Sequence, residues 1–199
     1  MNRFAMIAPF LLLAFPSLGD AQEYEPDFEL PESAELIVVY IATSNCVGNL
    51  YPRLDSAIHQ MKIVLSKRAE ASGIGFGAIG VAAQWSVEDG LAYLLEGESN
   101  AGKKDFGAWD EVHAGRNWIN ASAINYIWRE IQGRPAVPQV VVLERTILTG
   151  SRIEVGPDQF LARYVGSEEI VAWVDNAMPL SNSAYLVSGQ SETDAQPVR

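Results

Sequence analysis

Residues 35–52 read ELIVVYIATSNCVGNLYP, and the fold turns on them. Their first eight residues form an unbroken run rich in β-branched and apolar side chains, the pattern of a strand buried on both faces and therefore central in a sheet, with parallel pairing expected. The run ends at Ala42, and four residues on stands the only cysteine of the chain, Cys46. From Leu50, apolar residues recur at Leu54, Ile58, Met61 and Leu65, which predicts one face of a helix ending near Ser72-Gly73. GFGAIGVAA, residues 75–83, predicts a second buried strand. Strand, helix and strand in that order predict a right-handed βαβ unit.

Upstream, residues 1–21 (MNRFAMIAPFLLLAFPSLGDA) hold one arginine, an apolar run broken by two prolines, and small residues at the end. This is the layout of a cleaved export signal with its cut after Ala21, the apolar run being too short for a membrane span. The expectation is an exported protein, periplasmic or secreted, with no membrane insertion after cleavage. Residues 22–34 are polar and interrupted by proline, and read as a flexible leader. The formal net charge of the 199-residue chain is −11, and removing residues 1–21 takes away Arg3 and Asp20 together and leaves it unchanged. Without a basic stripe to neutralise phosphate, nucleic acid and anionic membranes are excluded as partners. Exported proteins ordinarily pair their cysteines; Cys46 is then a buried inert thiol, a reactive thiol or an intermolecular link.

Downstream of the second strand, Ser86 with Glu88 and Asp89 predicts a capped helix to about residue 96. The segment 109–118 reads as irregular or a short strand, and a helix starting at Asn120 or Ser122 carries Ile124, Ile127, Trp128 and Ile131 on one stripe. VVVLE, residues 140–144, predicts a third strand, Thr149-Gly150-Ser151 a hairpin turn, and residues 160–165 a fourth strand. Ser167-Glu168-Glu169 predicts the cap of a final helix. The domain spans residues 35–178, with an aromatic-rich insert at about 85–133 and a disordered polar tail over 179–199.

Two features stand out in this frame. Cys46 sits on the connection from the first strand to the first helix, where ligands bind in open α/β sheets, and a thiol at a helix N-terminus is favoured as thiolate. Pro138 directly precedes a buried strand, a place where proline must stand at the strand's start, often after a cis bond. Together IVVYIATSNC, Val137-Pro138-Gln139 and the ending SEEIVAWV resemble the thioredoxin-like fold superfamily. The likeness covers about residues 35–177 and is nearest in layout to the enlarged thioredoxin-like reductases of cytochrome maturation and to peroxiredoxins. It implies an α/β domain with a central mixed sheet flanked by helices and a cis-proline facing the thiol. It also implies a thiol-dependent oxidoreductase or a mixed-disulfide former, with a protein thiol or disulfide, or a small ligand, as partner and no cofactor.

The sequence departs from that pattern at three places. Asn45 stands where the family has tryptophan, Asn49 stands where it has the resolving cysteine, and Pro52 comes early. Without a second thiol, attack on a disulfide stops at the mixed disulfide. A helix capped by Asn49 would hold Pro52 harmlessly in its first turn. Thr43 and Cys46 match the T-x-x-C of a peroxidatic site, but Val39 replaces the expected proline, and Arg53, Arg134 and Arg152 are the candidates for an activating arginine. The alternative to catalysis is a thioredoxin-like binding scaffold.

Of the other residues, Trp109 and Trp118 flank DEVHAGRN and are expected to be the exposed tryptophans of a recognition surface; packing of the insert on the sheet is the competing reading. Trp128 reads as core. His59 falls on the polar face of its helix, and His113 reads as a solvated loop residue. Neither has the neighbours of a metal site.

Overall fold

The structure is a computed structural model that describes residues 33–120, 136–149 and 153–180. The export signal, most of the leader, the isoleucine-striped helix with Trp128, the residues 150–151 of the hairpin turn, and the tail from 181 onward lie outside the described residues.

Strand β1 (Ser33–Ala42) is central because both of its faces are apolar. Leu36, Val38, Tyr40 and Ala42 enter one buried cluster, and Ile37, Val39 and Ile41 enter another on the opposite face. Each such side chain contributes about 1.5–3 kcal/mol by leaving water, so a strand with this pattern is stable only between two neighbours and two covering layers. Its neighbours are β2 (Gly75–Ala82), parallel with Glu35 opposite Gly75, and β4 (Gln139–Thr149), antiparallel with Ile41 opposite Gln139. The short β3 (Glu111–His113) extends the sheet beyond β2 in parallel. On the far edge of β4 lie β5 (Ile153–Val155) and β6 (Gln159–Val165), both antiparallel to it, so the six-stranded sheet is mixed.

Helix α1 (Leu54–Ala71) buries Leu54, Ile58, Met61 and Leu65 on the first face of the sheet. There it meets α4 (Ser167–Asp175), whose Ile170, Val171, Trp173 and Val174 are also buried. Helix α2 (Val87–Leu91) starts where Ser86 Oγ accepts the Asp89 N–H at 3.1 Å, and continues as a single π-helical turn over Ala92–Glu96. The four-residue α3 (Asn117–Asn120) ends this part of the chain. Among the described residues, no helix is long and apolar enough to cross a membrane, and no group of three His, Cys, Asp or Glu side chains could hold a metal ion.

The structure moves several sequence expectations. The strand expected from residue 35 starts at Ser33, because Ser33 and Ala34 pair with Ile147 and Thr146. That pairing also carries β4 to Ile147, and pairing with β5 carries it on to Thr149, five residues past the apolar run VVVLE. Pro179 and Leu180 belong to the packed body: the Trp173 indole donates to Pro179 O at 3.2 Å, and Leu180 rests on the core. His113 lies on β3 opposite Val81 with its ring hydrogen-bonded to Glu111, and is no loop residue. The described chain is already helical over Asn117–Asn120, and the helix expected from Asn120 or Ser122 lies outside the described residues.

The tryptophans are the largest correction. Trp109 stacks in parallel on Tyr40 with ring centroids 5.9 Å apart, donates Nε1–H to Leu94 O at 2.9 Å, and carries the Lys62 ammonium 3.6 Å from its ring centroid. Gly80 makes room for it, since a Cβ there would meet the indole at 3.0 Å. Trp118 is half-buried against the second cluster, its Nε1 sealed without a hydrogen-bond partner among the described residues. Trp85, which touches Trp118, is the exposed one at 67%. A large ring beside a sheet edge gains more from covering strand residues than from facing water, which draws the loop tryptophans inward.

Candidate functional site

Cys46 follows β1 and opens a 3-10 turn, Val47–Leu50. Its N–H donates to Thr43 O at 3.2 Å, tightening the exit from the strand. The Gly48 N–H donates to Cys46 Sγ at 3.3 Å, so the thiol itself caps the turn. Helix α1 starts only at Leu54, after Pro52, with Arg53 in a left-handed conformation (φ 67°) at its N-cap. The expected helix capped by Asn49 is therefore replaced by a short turn. Pro52, which has no N–H to offer a continuing helix, falls between the turn and α1.

Asn49 is instead a buried fastener. Its Nδ2 donates to Ser44 O at 2.8 Å and Thr43 O at 3.0 Å, with Asn100 Oδ1 at 3.3 Å, and its Oδ1 accepts the Tyr93 hydroxyl at 2.9 Å. Because the Tyr93 proton is committed to Asn49, the Tyr40 hydroxyl 3.0 Å away donates to Tyr93. Burial, first among the causes, pushes both phenols above their ordinary range. Both stay protonated, and the donor chain keeps one direction from the core to the thiol loop.

The opposing wall is the Val137-Pro138 segment ahead of β4, whose peptide bond is cis. The Cys46 thiol donates to Val137 O at 3.1 Å. Pro138 O is already taken by the Gly166 N–H at 2.8 Å, so the carbonyl that meets the thiol is that of Val137. Gln139 is fully buried beneath, with Arg163 Nε donating to its Oε1 at 3.0 Å. The N-terminus of α4 completes the junction. Ser167, expected to cap that helix, follows the N-cap Gly166 and turns its hydroxyl onto Gly48 O at 2.9 Å.

Gly48 is where these three segments touch. A Cβ there would lie 2.5 Å from Pro138 Cδ and 2.7 Å from Ser167 Oγ, distances that force a shift of the turn or the proline ring. Gly48→Ala is expected to lower the unfolding free energy by about 1–3 kcal/mol as an overpacking change, visible as a lower denaturant midpoint at unchanged slope. A midpoint equal to the native protein's would show that the junction yields freely.

Thr43, Cys46, Asn49, Val137 and Pro138 thus come together as a group, and Trp109 and Trp118 do not join them. The Thr43 hydroxyl lies 2.8 Å from Asn45 Oδ1 and 3.0 Å from Gln84 Oε1, so it is directed at the loop and not at Sγ. Arg53 pairs with Asp175 at 2.6 Å, which raises its pKa further; Arg134 and Arg152 lie outside the described residues. Gly48, Tyr93, Gln84 and Ser167 are the participants that sequence reading did not assign. Tyr93 falls inside the helix predicted from Ser86 to about residue 96 with no local sign of a polar role, and no local pattern couples Ser167 to Gly48 across 119 positions.

Between the 3-10 turn and α4 lies a shallow, open hollow of about 420 Å3 lined by Val47, Gly48, Leu50, Tyr51, Pro52, Ser167 and Glu168. Val47 and Leu50 are 77% and 61% exposed, a high exposure for adjacent aliphatic side chains in one short turn. The local chemistry is that of a single sulfur atom between two backbone groups, accepting the Gly48 N–H and donating to Val137 O, near an apolar hollow. No family model, no curated protein and no solved structure matches the chain.

Proposed function

We propose that the chain is an exported thioredoxin-like domain that binds a partner through a mixed disulfide at Cys46. The observation that carries the reading is the 3.1 Å approach of the Cys46 thiol to Val137 O, across 91 positions of sequence, at the residue before a proline that opens an antiparallel strand. The strand delivering the thiol, the parallel βαβ start and the closing helix α4 support the same layout. In the reaction, the Cys46 thiolate attacks one sulfur of a partner disulfide. A sulfur–sulfur bond forms to Cys46, the partner's own bond breaks, and its other sulfur leaves as thiolate, which takes up the proton released from Cys46. Asn49 occupies the position from which a second thiol would expel the partner, so the adduct persists.

An aromatic disulfide such as dithiobis(nitrobenzoate) tests this under native conditions. A single equivalent of nitrothiobenzoate is expected, with Cys46 mass-labelled by an adduct that lasts until reductant is added, and none from Cys46→Ser. Release only after denaturation would sink the reading. A binding scaffold without thiol exchange is the second reading, favoured by the full burial of Asn49. It requires Cys46→Ser to retain partner binding.

A further inference from the structure

From the pocket beside Cys46 we infer the partner's chemistry: an extended polypeptide segment with a bulky apolar side chain and a lysine or arginine flanking its reactive cysteine. This deepens the proposed function and rests on it. Val47 directly follows Cys46, and Gly48, whose N–H bonds Sγ, lines the hollow, so a side chain flanking a cysteine held at Sγ comes within reach of it. Val47, Leu50, Tyr51 and Pro52 make its walls apolar, and about 420 Å3 is room for a large aliphatic or aromatic side chain. Two aliphatic residues left this exposed gain by being covered.

Charge selects what accompanies that side chain. Glu168 stands exposed on the rim, while Glu169 is turned back to accept the Val165 N–H at 3.0 Å. Among the described residues no lysine or arginine lines the hollow; Arg53, next in sequence to Pro52, is held by Asp175. With a net charge of −11, the protein repels an anionic small disulfide such as that of glutathione and attracts a cationic segment.

The test uses the full chain and peptides carrying a nitropyridyl-activated cysteine, with the rate of adduct formation at Cys46 as readout. A peptide with Leu and Lys beside the cysteine is expected to react about tenfold faster than one with Ser and Lys. It should react about threefold faster than one with Leu and Glu, a difference that fades in about 0.5 M salt. Leu50→Ser removes the first preference and Glu168→Lys reverses the second, both at exposed positions where the fold is retained and circular dichroism verifies it. Equal rates for all peptides, or faster reaction of glutathione disulfide, overturn this inference while leaving the mixed-disulfide function standing. No reaction with any peptide or with the aromatic disulfide overturns both.

Discussion

Asn49→Ala is expected to destabilise the protein by about 3–5 kcal/mol, the largest loss of any single polar substitution around Cys46. The change strips a fully buried side chain and takes one bond each from Thr43 O, Ser44 O and the Tyr93 hydroxyl; the two carbonyls keep the Cys46 and Asn100 N–H groups, while the Tyr93 proton loses its acceptor. Each hydrogen bond lost costs about 0.5–1.5 kcal/mol and the buried Tyr93 proton left without an acceptor about 1–3 kcal/mol, and the bonds lie in one network. Equilibrium unfolding in guanidinium at neutral pH measures the effect. Tyr93→Phe removes one donor from the same network and is expected to cost about 1–2 kcal/mol. A loss below about 1 kcal/mol for Asn49→Ala would mean that water replaces the amide and that the loop does not depend on it. Asn49 thus fastens the loop that carries Cys46 to the core.

The second large effect belongs to Lys62, and it appears as a pH dependence. The Lys62 residue is buried, 6% exposed, with Nζ donating to Ala108 O at 2.5 Å and resting on the Trp109 ring. Burial lowers its pKa from 10.5 to about 8, against the opposing pull of Asp110 and Asp105. The folded state therefore releases its proton before the unfolded state does. Between pH 8 and 10.5 the unfolded chain binds more protons, so stability contributed at this site rises with pH through that window and is flat below it. Below pH 8 the charged form carries the full desolvation cost, of the order of 3 kcal/mol. Lys62→Met removes the titration. The stability of this variant relative to the native protein is expected to fall by about 3 kcal/mol as pH rises from 8 to 10.5. A pH-independent difference across that window would show that Lys62 reaches solvent.

Much of the sheet and of helix α1 was legible in the residues themselves. The run from Leu36 to Ala42 has no charged side chain, and a strand of that kind survives only in the middle of a sheet. Leu54, Ile58, Met61 and Leu65 repeat at helical spacing, and all four are fully buried where that spacing puts them. The start of β4 after Pro138 was legible because proline has no N–H for the ladder. The length of β4 was not, since Arg145 and Thr146 give no apolar pattern and are held extended by pairing with Glu35 and Ala34. Trp109 was misjudged for a related reason. Its neighbours Ala108 and Asp110 look like a surface loop, and only Gly80, twenty-nine positions earlier, reveals the space into which the ring packs.

The sequence by itself determined which segments seek burial, that a single thiol ends the central strand, and that proline opens the antiparallel strand beside it. Those properties are periodic or strictly local, so a window of a few residues contains them. The tertiary structure alone decided where the loop side chains point: the thiol toward Val137 O, Asn49 inward to Tyr93, Ser167 onto Gly48 O. These contacts join residues 91, 44 and 119 positions apart. A polar side chain in a loop takes the direction that satisfies its hydrogen bonds, and the partners that satisfy them are brought within reach only when the sheet and helices have packed.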